Sequence, residues 1–115
     1  KNKDSSLRGI NVHADFAAIN VNFWITPNTG NLDSNSGGLR VWNKVPPEDW
    51  DFRQYNSDVA KMKSFLSENK STEQRIPYRE HRAVIFNSKL FHSTDEFTFK
   101  DKYEFRRINI TFLYS

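Results

Sequence analysis

The sequence predicts an all-β domain of the jelly-roll, or double-stranded β-helix, type, and three observations predict it. Val, Ile, Phe, Tyr, Trp and Thr, the residues that suit a pleated surface, recur along most of the chain. Apolar and polar residues alternate in short segments divided by turn residues. Only one stretch has helical spacing, so many short antiparallel strands carry a single helical insertion.

Leu7 to His13 is a short extended segment. From Ala18 to Thr26 the alternation is strict, with Ile19, Val21, Phe23 and Ile25 on one face and Asn20, Asn22, Trp24 and Thr26 on the other. Pro27 ends this strand, and Asn28 to Gly38 is a loop of Asn, Ser, Asp and Gly. Leu39 to Trp42 is a strand leaving Gly37-Gly38, and Pro46-Pro47 stops it. The insertion covers 43–74 and holds one helix, Asp58 to Glu68. Ser57 or Asn56 can cap it, and Val59, Met62, Phe65 and Leu66 share a face. Arg75 to Arg79 and Arg82 to Phe86 are two strands joined by a tight turn at Glu80-His81. Lys89 to Ser93 is a short strand, Glu96 to Phe99 another, and Arg106 to Tyr114 a long alternating one. The count is about seven strands.

With 115 residues the chain has room for one domain and one modest core. Apolar content is only 37%, but aromatics reach 15%, and large rings fill a small core with few residues. There is no cysteine, which excludes disulfides and thiolate metal sites and leaves His and carboxylate as ligands. No apolar run reaches membrane-spanning length and no leader begins the chain, so a soluble, cytoplasmic protein without a membrane partner is expected. The net charge of +3 is scattered among acidic neighbours, which argues against a nucleic-acid partner.

His13 and Asp15 stand two residues apart, which on extended backbone puts both on one face. Isolated triplets of this kind are common in polar turns, so His92 matters. It lies in Leu90-Phe91-His92, late in the chain, where a facing sheet can bring it against the first pair. The bland alternative is a core histidine bonded to backbone. His81, at the expected hairpin tip, reads as exposed. Two histidines and one carboxylate cap one face of an octahedral ion and leave the opposite face open, the arrangement of non-haem Fe(II) oxygenases. Arg106 and Arg107 are separated by strand parity: Arg107 shares a face with Asn109, Thr111 and Leu113, Arg106 with Ile108, Ile110, Phe112 and Tyr114. Arg107 on the more polar face is the better anchor for a dicarboxylate, with Asn109 beside it.

Asn11-Val12-His13-Ala14-Asp15, Asn22-Phe23-Trp24, Gly37-Gly38-Leu39, Ala83-Val84-Ile85-Phe86-Asn87, Phe91-His92-Ser93-Thr94 and Arg107-Ile108-Asn109-Ile110-Thr111 follow one another in an order that resembles the Fe(II)/2-oxoglutarate-dependent dioxygenases of the prolyl-hydroxylase or phytanoyl-CoA-hydroxylase type. Two features depart from that pattern: Asn109 replaces a small residue, and the interval from His92 to Arg107 is long. The resemblance implies Fe(II) held by His13, Asp15 and His92, and 2-oxoglutarate chelating it with its distal carboxylate on Arg107. Asn109, Asn22 and Trp24 would line the co-substrate pocket, with Asn20 on the same strand face. With O₂, the implied reaction hydroxylates a C–H bond and releases succinate and CO₂. The family's His-x-Asp follows a second barrel strand, so the resemblance also implies a domain lacking its first strand and truncated at its N-terminus.

Two other readings belong to different classes: a cupin-like binding module without oxidation, and a nucleic-acid demethylase on the same barrel, which the scattered charge disfavours. The substrate, a small molecule or a peptide, is not legible. Trp42, Trp50, Phe52 and Tyr55 can roof a pocket, although a small core of the insertion's own is the better reading. Finally, if the pocket-side faces point inwards, the stripes Ile19, Val21, Phe23, Ile25 and Ile108, Ile110, Phe112, Tyr114 lie outside the barrel. They then call for cover from a second copy or an N-terminal segment.

Overall fold

The structure, a computed structural model, describes residues 12–115. Six strands form two three-stranded antiparallel sheets, with two helices between the second and third strands. The strands are β1 (Ile19–Trp24), β2 (Leu39–Trp42), β3 (Glu73–Ile76), β4 (Ala83–Asn87), β5 (His92–Thr94) and β6 (Asn109–Tyr114). The helices are α1 (Phe52–Asn56) and α2 (Val59–Glu68). One sheet has the order β4-β1-β6, the other β3-β2-β5. The fold is therefore all-β with a small helical insertion.

Alternation in β1 decides what lies between the sheets. In register, Asn20 pairs with Phe86 and Leu113, and Asn22 with Val84 and Thr111. These residues face inwards with Trp24, which is fully buried. Trp24 packs with Leu39 and Tyr78, and Val41, Ile76, Val84, Phe86 and Phe99 close around them, so residues of both sheets share this core. A second core joins Val12, Ala14 and Phe91 to Met62 and Leu66 of α2, with Trp42, Trp50, Tyr55, Val59 and Phe65 against it. The insertion's aromatics therefore serve mainly as packing, apart from Phe52, which is exposed and meets Tyr55 edge-on.

Several elements differ from the sequence expectation. A second helix, α1, precedes the expected one, and Asp51 and Gln54 form a reciprocal capping box at its start. The helix after it begins at Val59 and is capped by Asp58, not by Ser57 or Asn56. The strands on either side of Glu80-His81 are not a hairpin: β3 pairs with β2, and β4 with β1. Pro77 cannot donate to a ladder, and Tyr78 turns into the core, its hydroxyl donating to the Thr26 carbonyl at 2.7 Å. The chain thus changes sheets here. His81 is exposed, as expected, with a positive φ of 67°.

Residues 88–91 form a turn rather than strand, and β5 starts at His92. The Glu96 to Phe99 segment is not a ladder strand: it makes the isolated bridge Asn31–Phe99 and accepts bonds from the Leu32 and Gly37 amides. β6 starts at Asn109, after a short 3-10 turn at Tyr103–Phe105. Most of the expected first extended segment, 7–11, lies outside the described residues.

Candidate metal centre and its pocket

Val12 and Ala14 point into the core with Phe91, Met62 and Leu66, so the alternating His13 and Asp15 project to the opposite side. Both flanks of this short segment are tied. The His13 amide donates to the His92 carbonyl at 2.9 Å, and the His92 amide returns the bond at 2.8 Å. Asp15 donates to the Ser88 carbonyl at 3.0 Å. Between the two, the Ala14 amide donates to the Tyr55 carbonyl at 2.7 Å, and the Asn56 side-chain amide donates to the Ala14 carbonyl at 3.0 Å. The small helix α1 thus holds the residue between the two candidate ligands.

One ligand atom from each of His13, Asp15 and His92 falls within 4.8 Å of the others. Asp15 Oδ2 is 3.2 Å from His92 Nε2, and Oδ1 is 3.6 Å from His13 Nε2. Neighbouring ligand atoms around an ion with bonds of about 2.1 Å lie about 3 Å apart, so small side-chain movements close this set on one ion. His92 is buried, meets Phe86 edge-on, and has Nδ1 2.7 Å from the Leu90 carbonyl. A carbonyl only accepts, which assigns the proton of a neutral ring to Nδ1 and leaves a lone pair on Nε2. That lone pair faces an anionic oxygen, a repulsive arrangement unless a proton or a cation lies between them. The Leu90 carbonyl also does what an outer partner does for a metal-bound imidazole, fixing ring and tautomer. Burial alone would raise the Asp15 carboxyl. When both rings are protonated, their hydrogen bonds and charge override it and hold the group well below the usual carboxylate range.

These three residues line one cavity of about 230 Å³ with Arg107, with Asn109, Thr111 and Leu113 of β6, and with Asn20 and Asn22 of β1. Arg107 is the cation of this cavity. Its Nε donates to the Gly37 carbonyl at 2.6 Å, Nη2 to the Gly38 carbonyl at 3.3 Å and Nη1 to Asn109 Oδ1 at 3.2 Å. Rings of Tyr78, Phe97 and Trp24 surround its Cζ at 5.5, 5.5 and 6.0 Å. Burial pushes its pKa down to about 10, although Tyr78 and Asp95 act in the opposite sense. Among the described residues its hydrogen-bond partners are all neutral. The glycine pair is needed to present those carbonyls. Gly37 has φ +87°, and a Cβ on Gly38 would fall 1.8 Å from the Ile76 carbonyl oxygen.

Six of the seven residues singled out from the sequence therefore reach one cavity: His13, Asp15, His92, Arg107, Asn109 and Asn22. Trp24 does not line it. Its ring is fully buried in the core, stacks on Tyr78, and donates from Nε1 to Asn22 Oδ1 at 3.1 Å. Its effect on the pocket runs through Asn22 and the floor beneath Arg107. Asn20 takes the lining position instead, and its buried Oδ1 has no partner among the described residues.

No family model, curated protein or solved structure matches this chain. Among the described residues, no helix is long and apolar enough to cross a membrane.

Proposed function

We propose that this chain is the core of an Fe(II)- and 2-oxoglutarate-dependent oxygenase that hydroxylates a C–H bond, and that its two sheets are the facing halves of a double-stranded β-helix. The observation that carries the reading is the pairing of two unlike sites in one small cavity. A two-histidine, one-carboxylate set shares it with a half-buried arginine whose hydrogen-bond partners among the described residues are neutral. Nitrogen and oxygen donors without thiolate suit Fe(II) among other divalent ions.

His13, Asp15 and His92 would hold the iron, which supplies redox chemistry with O₂ when bound. Arg107 would grip the distal carboxylate of the co-substrate through the N–H groups not given to Gly37, Gly38 and Asn109. Asn109 orients the guanidinium, and Asn20 and Asn22 offer amide groups along the wall between anchor and metal. Trp24, Tyr78 and Phe97 cover part of the guanidinium, and this partial desolvation would strengthen its attraction for a carboxylate. The overall reaction balances as 2-oxoglutarate, O₂ and R–H giving succinate, CO₂ and R–OH. The test is iron-dependent formation of succinate from 2-oxoglutarate, lost in His92→Ala. A protein that binds metal and 2-oxoglutarate but forms no succinate under any condition would support the binding-module reading instead.

A further inference from the structure

Asp15 also belongs to a second cleft of about 400 Å³, whose walls are Phe16, Val45, Pro46, Pro47, Trp50 and Tyr55. Phe16 follows the candidate metal ligand directly and is 78% exposed, an unusual place for a bare aromatic ring. The rim carries one cation, Lys89, and one anion, Glu48. Among the described residues neither is ion-paired, and they do not pair with each other. The only other charge in the cleft, Asp15, is committed to His13 and His92.

An apolar wall with separate positive and negative rim groups matches a ligand that has an apolar body, one carboxylate and one ammonium. We propose that this cleft binds the primary substrate and that the substrate is an apolar, aromatic-type α-amino acid. Its carboxylate pairs with Lys89, its ammonium with Glu48, and its side chain lies against Phe16, Val45 and Trp50 beside Asp15. The proposal rests on His13, Asp15 and His92 being the metal site, since only then does a C–H bond next to Asp15 have a use. The two cavities share Asp15, so a substrate in this cleft would lie beside the metal set.

The test is isothermal titration calorimetry of the whole chain, without iron or 2-oxoglutarate, so that its outcome is independent of the oxygenase assay. The probes are L-phenylalanine, hydrocinnamate (no ammonium), phenethylamine (no carboxylate) and N-acetylphenylalaninamide (neither charge). L-Phenylalanine is expected to bind at least about tenfold more tightly than each of the other three. Glu48 and Lys89 are exposed, so Lys89→Glu and Glu48→Lys are expected to keep the fold, which circular dichroism checks, and each is expected to weaken L-phenylalanine by about tenfold. No binding of L-phenylalanine, equal binding of the uncharged amide (a peptide rather than a free amino acid), or indifference to both charge reversals would each overturn the proposal.

Discussion

Asp15 gains its ionised form from two imidazoles, and that gain has a pH signature. A carboxyl held below its ordinary range contributes stability that is present above the unfolded-state value and is lost as pH falls through the folded one. In metal-free protein, the stability advantage of wild type over Asp15→Asn should therefore shrink as pH drops below the usual carboxylate range. Urea unfolding at stepped pH measures it, and a growing advantage would contradict the assignment. Arg107 provides a second test at this scale. Arg107→Lys should weaken 2-oxoglutarate binding, because one ammonium cannot reproduce a two-pronged grip, and Arg107→Ala should weaken it further, by on the order of 3–5 kcal/mol. Arg106 lies exposed, with its Cζ over the Tyr103 ring, and Arg106→Ala should leave binding unchanged. Calorimetry of metal-loaded protein separates the three variants. These residues were legible in sequence because strand parity alone sorts His13 from Ala14 and Arg107 from Arg106. The groups that aim Arg107 were not, since they are the backbone carbonyls of two glycines and have no side chain to read.

Among the elements, the segment 12–15 depends most on its neighbours. It makes one bridge to β5, and the bonds from α1 to Ala14 complete its support. Asn56→Ala removes one of them and should cost about 0.5–1.5 kcal/mol of stability. It should also lower affinity for a divalent ion, because Ala14 joins two of the three ligands. Mn(II) titration followed by electron paramagnetic resonance reads the second effect, and unchanged affinity would mean that α1 only packs. α1 was foreshadowed by Asp51-x-x-Gln54, a capping signal that the prominent aromatics around it overshadowed. β1 and β6 read cleanly from alternation because one face of each is polar or buried and the other apolar. The β3–β4 connection did not. Glu80-His81 has turn chemistry, and only the tertiary seat of Tyr78 on Thr26 shows that the chain crosses from one sheet to the other.

Among the described residues, one sheet face lies in water. Ile19, Ile85, Ile110, Phe112 and Tyr114 are exposed together on the outer side of β4-β1-β6, with Val21 and Phe23 between them. A contiguous apolar surface of this kind favours association. The chain should therefore sediment as more than a monomer, and paired changes such as Ile85→Lys with Phe112→Lys should restore a monomer without disturbing the inward-facing pocket. A monodisperse monomer of the unchanged chain would contradict this.

The metal set and Arg107 are proposed to serve one ligand. Anaerobic titration of Fe(II)-loaded protein with 2-oxoglutarate tests this most directly, through the visible metal-to-ligand charge-transfer band of a chelated 2-oxo acid. The band is expected in wild type and in Arg106→Ala. Arg107→Ala should need far more 2-oxoglutarate to reach it, and His92→Ala should show none. A wild-type protein that binds Fe(II) yet develops no band at saturating 2-oxoglutarate, or an Arg107→Ala variant with wild-type affinity, would contradict the account.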